Sequence, residues 1–74
     1  MEKVQLFNTR RVGGPSITLP IPGRDDVTIP AEGDPKSTKG ELIKGAKGVV
    51  VEADLARLQK QAAAIRGLKV QKVV

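Results

Sequence analysis

The segment Val49-Val50-Val51-Glu52-Ala53-Asp54-Leu55-Ala56-Arg57-Leu58-Gln59-Lys60-Gln61-Ala62-Ala63-Ala64-Ile65-Arg66-Gly67-Leu68-Lys69-Val70 changes its periodicity twice. Val49 to Val51 is a short β-branched run of the kind a buried strand uses. Leu55, Leu58, Ala62 and Ile65 then follow at spacings of three, four and three, which places them on one face of a helix. Arg57, Lys60, Gln61 and Ala64 fall on the other faces. The spacing predicts a helix over Ala53 to Arg66, with Leu55, Leu58, Ala62 and Ile65 as its core face. Glu52 and Asp54 stand at the positive end of that helix and Arg66 at its negative end, as the macrodipole favours. Gly67 is placed to close it in the left-handed conformation. Leu68 and Val70 alternate with Lys69 and Gln71, so a strand ends the chain. Strand, helix and strand together form a mini-domain over 49–74. A parallel return needs a crossover of a dozen residues or more. The helix with its caps just reaches that length, so both directions of the last strand stay open.

Upstream, residues 35–48 read as a loop rich in glycine and lysine, in which Leu42 and Ile43 either form one turn of helix or anchor the loop to a neighbour. Residues 1–34 read as extended chain and turns. Val4 and Leu6 alternate with polar neighbours, a weak strand signal. Gly13-Gly14-Pro15 breaks the chain. Ile17, Leu19 and Ile21 alternate with Thr18, Pro20 and Pro22, and Val27 and Ile29 form a second alternating run that stops at Pro30. Prolines at alternate positions restrict the first run to an edge strand or a polyproline-like arm. The fold expected is therefore α+β: a small sheet with one C-terminal helix, preceded by an extended, proline-containing N-terminal arm or hairpin.

The chain has 74 residues, no cysteine and no histidine. A domain of this size buries only about 60% of its unfolded surface. Disulfides are excluded, and a structural zinc site lacks its usual ligands. Assembly with other chains is the remaining source of extra stability. Met1 to Asn8 holds no continuous apolar core, so no signal peptide is expected. No apolar run approaches the length needed to cross a bilayer, so no membrane partner is expected.

The charge is divided. Residues 1–34 set Lys3, Arg10, Arg11 and Arg24 against Glu2, Asp25, Asp26, Glu32 and Asp34, a net of −1. The remainder carries +6, giving the chain its +5. Arg10, Arg11, Lys36, Lys39, Lys44 and Lys47 are the candidate basic contacts. They would suit an acidic protein surface, or phosphates in a salt-dependent way. The single aromatic, Phe7, leaves no stacking platform for bases.

Chemistry of other kinds finds little footing. The serines and threonines have no candidate base beside them, and a nucleophilic hydroxyl needs one. Gly40 to Gly48 looks like a phosphate loop, but Ala46 and Lys47 stand where Lys and Ser/Thr are required. Asp25, Asp26, Glu32 and Asp34 lack the alternation of a calcium loop. No enzymatic activity, no metal and no cofactor are expected. The apolar positions of the proline-containing segment (Ile17, Leu19, Ile21, Val27 and Ile29) have the alternation of a strand that adds to a neighbour's sheet or groove. They are the expected protein-binding arm, with a surface hairpin packed on its own domain as the alternative.

The run from Val49 to Leu58, closing on Leu68-Lys69-Val70, resembles the strand–helix–strand ends of minor structural proteins of tailed bacteriophages. Val27-Thr28-Ile29-Pro30-Ala31-Glu32-Gly33 is similar to a phrase in small proteins of phage morphogenesis clusters. The resemblance implies a virion component, assembled in the host cytoplasm. It would clamp or decorate larger subunits of a symmetric head, neck or tail. It carries over no catalytic or ligand residue. The alternatives are a basic accessory protein on DNA or RNA, and a small inhibitor covering an acidic partner.

Overall fold

A computed structural model describes residues 2–73. The fold is α+β. In chain order the elements are β1 (Glu2–Arg11), β2 (Ile17–Leu19), β3 (Val27–Ile29), β4 (Ala31–Gly33), β5 (Val49–Ala53), α1 (Leu55–Ala64) and β6 (Leu68–Lys72).

The organising element is β1, which pairs on both edges. On one edge β6 runs antiparallel to it from Val4↔Lys72 to Asn8↔Leu68. On the other edge β5 runs antiparallel from Glu2↔Ala53 to Leu6↔Val49. Beyond β5 on that same edge, β4 runs parallel to β1, with Asn8↔Ala31 and Arg11↔Gly33 in register. Strands β5 and β6 are both antiparallel to β1, so they are parallel to each other with β1 between them. The strand–helix–strand unit is thus a split crossover whose middle strand comes from the start of the chain.

Alternation then sorts the side chains by face. Val4, Leu6 and Asn8 share the buried face with Val51, Ala53 and Leu68. Lys3, Gln5 and Phe7 point the other way, together with Val50, Glu52, Lys69 and Gln71. Phe7 is nonetheless buried, because the loop before β5 lies against it. A side-chain carbon on Gly48 would come within 2.9 Å of the Phe7 ring, so only glycine admits this approach. Gly48 also has φ +64, which disfavours other residues there.

Of the arm or hairpin expected over this segment, the structure shows the hairpin, and it is not a free arm. Ile17 pairs with Ile29, Thr18 with Thr28 and Leu19 with Val27 in a two-stranded hairpin. Ile17, Leu19, Ile21, Val27 and Ile29 all belong to the same hydrophobic cluster as Val4, Leu6, Val51, Ala53, Leu58 and Leu68. Five of those eleven core residues come from this segment. The correction has a simple physical cause. The helix of ten residues fully buries only Leu58 against the sheet of β1, β5 and β6, and the hairpin side chains complete the core. The prolines stay compatible because Pro20, Pro22 and Pro30 sit outside the paired residues and are exposed. The expected boundary at residue 34 also falls away, since β1 lies inside the sheet completed by β5 and β6.

The helix is shorter than its apolar spacing predicts. Asp54 is the N-cap, with Oδ1 accepting from the Ala56 amide at 3.0 Å, and Ile65 is the C-cap. Ala53 is instead the buried last residue of β5. Leu58 is the deepest residue of the helix, and Leu55, Ala62 and Ile65 pack half-buried around the same core. Gly67 follows at φ +92, as expected of the residue that ends the turn.

Candidate basic interface

Two arginines meet at one end of the molecule. Arg10 lies near the end of β1, and Arg66 lies on the turn that joins α1 to β6. The pairing of β1 with β6 brings that turn alongside. The Thr9 amide donates to the Gly67 carbonyl at 2.7 Å, and the Thr9 hydroxyl donates to the same oxygen at 2.8 Å. Arg10 Nε donates to the Arg66 carbonyl at 3.2 Å. Its Nη1 reaches the carbonyls of Pro15 and Ser16 at 3.5 Å, a longer and weaker contact. The guanidinium therefore ties the helix exit to the entry of the hairpin.

Behind Arg10 stands Asn8, which is fully buried. Its Nδ2 donates to the carbonyls of Pro15 and Ile29, each at 3.1 Å, and its Oδ1 accepts from the Arg10 amide at 3.0 Å. The bond to the Ile29 carbonyl is buried, where that group would otherwise lack a partner, while those to Pro15 and Arg10 lie nearer the surface. Asn8 thereby fixes the hairpin against β1 and holds the backbone from which Arg10 projects.

Thr9, Arg10, Thr38, Gly40, Arg66 and Gly67 line one shallow depression. No carboxylate lines it. A second, more open hollow adjoins it through Thr38 and is lined by Asp34, Lys36, Ser37, Lys39 and Glu41. Local turn chemistry shapes that loop: Asp34 Oδ1 accepts from the Lys36 amide at 2.9 Å and Ser37 Oγ from the Lys39 amide at 3.2 Å. The structure so gathers Arg10, Lys36 and Lys39 of the expected basic contacts and adds Arg66. An arginine side chain suits carboxylates or phosphate oxygens, which it binds in a two-pronged geometry; here Arg66 is the exposed one, since Arg10 Nε and Nη1 already meet backbone carbonyls.

The other basic candidates lie elsewhere. Arg11 is exposed at the end of β1, opposite Gly33. Lys44 and Lys47 are exposed on the turn before β5, where the Lys47 carbonyl accepts from Gln5 Nε2 at 2.8 Å. Arg66, Thr9 and Thr38 had no signal of their own in the sequence. Arg66 reads there only as a charge at a helix end, and its neighbour Arg10 is 56 residues away.

Among the described residues, no three Asp or Glu side chains converge as a metal site would require. Glu32 accepts from the Gly48 amide at 3.2 Å, and Asp34 holds its own turn. The Gly40–Gly48 loop leads into β5 rather than into a helix. Among the described residues, no helix is long and apolar enough to cross a membrane. In comparisons with known proteins, no family model matches this chain, and neither a curated protein nor a solved structure does.

Proposed function

We propose that this chain is a non-enzymatic interaction protein that docks on the acidic surface of a larger structural subunit, as a small component of the head, neck or tail of a phage virion. The observation that supports this reading is the depression between Arg10 and Arg66, lined by no acid, beside a hollow where Lys36 and Lys39 stand with Asp34 and Glu41. The docking role passes from the hairpin, whose apolar residues are committed to the core, to this basic end.

Arg66 is the side chain on which to test it, because it is exposed and Arg10 engages only its backbone carbonyl. Arg66→Glu should leave the fold unchanged and weaken binding to poly-glutamate, a stand-in for an acidic protein surface, at least tenfold at low salt. Equal binding by the variant would remove this end of the molecule from the proposal. The virion assignment has its own test, mass spectrometry of gradient-purified particles from an infected host. Particles that lack the chain would reject it.

The same two arginines also suit phosphates, so a nucleic-acid accessory role is the second reading. The chain has no Trp and no Tyr, so absorbance at 260 nm in a sized fraction reports bound nucleic acid almost alone. Strong absorbance at low salt, with an affinity slope of about −0.9 per phosphate neutralised, would favour nucleic acid over an acidic protein.

A further inference from the structure

Strands β5 and β6 each carry one unpaired backbone edge, and the pairing registers show which groups are free. The Thr9 amide donates to Gly67, and the Val73 amide donates to the Lys3 carbonyl. Odd-numbered residues of β1 therefore turn their backbone toward β6, and even-numbered ones turn it toward β5 and β4. The Val12 amide, which donates to the Gly33 carbonyl, obeys the same parity. Opposed residues in an antiparallel ladder exchange both bonds at alternate positions. In β5, Val49, Val51 and Ala53 thus bond inward, while Val50 and Glu52 present their N–H and C=O outward. In β6, Lys69 and Gln71 bond inward, while Val70 and Lys72 present theirs outward. Among the described residues none of these four amides has a partner.

The two edges differ in character. Edge strands that stay single are guarded by prolines, bulges or lysines. Strand β5 has none of these, its register with β1 is unbroken, and Val50 is 53% exposed. Its charged residue is Glu52, with Glu2 and Asp54 around the hollow at its C-terminal end. Strand β6 carries Lys69 and Lys72. Two β6 edges would repel each other, and two β5 edges would bring their carboxylates together. A β5 edge and a β6 edge are complementary.

We propose that copies of this chain associate head to tail, the β5 edge of one joining the β6 edge of the next. Within one chain β5 and β6 run in the same direction. A neighbour placed in the same orientation therefore offers its β6 parallel to β5, and the sheet continues from subunit to subunit. Glu52 and Lys69 lie on the same open face, where they pair across the joint. A contact that uses two different patches closes into a ring or grows into a filament. Each joint is only five residues long and is weak alone, so assembly is steeply concentration-dependent. The inference is independent of the acidic partner proposed above, because it uses neither Arg10 nor Arg66.

Light scattering on a sizing column tests it with two variants that each remove one outward amide. Val50→Pro blocks the β5 edge and Val70→Pro the β6 edge, while neither removes a bond to β1. The wild-type chain should form a multi-chain species at high concentration, and each variant should run as a single chain. An equimolar mixture should give a two-chain species through the two surviving edges. A wild-type chain that stays single at every concentration overturns the proposal. So does a variant that assembles by itself, which would mean that like edges pair. If a proline variant fails to fold, amide exchange on the wild type decides. The Val50, Glu52, Val70 and Lys72 amides should gain protection as concentration rises, and unchanged exchange refutes the pairing.

Discussion

At the scale of single residues, Asn8 matters more than its place in the sequence suggests. It is the one buried polar residue among those described, and it satisfies two carbonyls and one amide from three separate parts of the chain. Asn8→Ala leaves the Ile29 carbonyl in the interior without this partner, while the Pro15 carbonyl keeps its contact with Arg10. An unsatisfied buried group costs about 1–3 kcal/mol, and the loss of stability in urea unfolding should be of that size. Asn8→Asp should be at least as harmful at neutral pH, since a carboxylate would face the Pro15 and Ile29 carbonyls in place of an amide donor. A variant as stable as the wild type would show that water replaces the side chain. No local pattern marks Asn8, because its acceptors stand seven and 21 residues away. Gly33 is hidden in the same way: a side-chain carbon there would lie 2.5 Å from the Arg10 carbonyl oxygen, a contact that exists only once β4 has docked on β1.

At the scale of elements, the hairpin and the helix share one task, which is to cover the apolar face of the sheet. Leu19 in the hairpin is fully buried and Leu58 in the helix is 2% exposed. Truncation of either leaves a cavity, and Leu19→Ala and Leu58→Ala should each cost about 2–5 kcal/mol. A free arm would instead tolerate Leu19→Ala without loss, so the midpoint of urea unfolding separates the two descriptions directly. Leu55→Ala should cost less than Leu58→Ala, because Leu55 is only half-buried. Removing the cap with Asp54→Ala should cost about 1 kcal/mol, read from the same unfolding curves. The helix face was legible from spacing alone. Its ends were not, because Ala53 suits a helix as well as a strand and its pairing with Glu2 decides the matter.

At the scale of the whole molecule, the chain closes on itself. Strand β1 holds β4, β5 and β6 together, so the N-terminal residues are the centre of the sheet rather than an appendage. Deleting residues 1–30 should therefore abolish folding altogether, seen as loss of the cooperative transition and of dispersed amide resonances. A soluble, folded remainder over 31–74 would contradict the central place of β1. The basic end depends on the same closure, since Arg10 and Arg66 become neighbours only through the pairing of β1 with β6. Disruption of that pair of strands should lower stability and weaken the basic interface together.

The sequence by itself determined the α+β class, the helix with its core face, the Gly67 turn and the short strands on either side of the helix. It also determined the basic excess of the second half and the lack of thiol and imidazole chemistry. Each of these rests on local periodicity or composition, which neighbours along the chain suffice to express. Only the tertiary structure decided that β1 threads between β5 and β6. It alone turned the proline-containing segment inward and joined Arg10 to Arg66. Alternation tells which side chains share a face, but the apolar face of a strand looks the same whether a partner or the protein's own sheet will cover it. Here the exposed face of β1, β5 and β6 was within reach of the hairpin, and burial of five aliphatic side chains against it settled the choice.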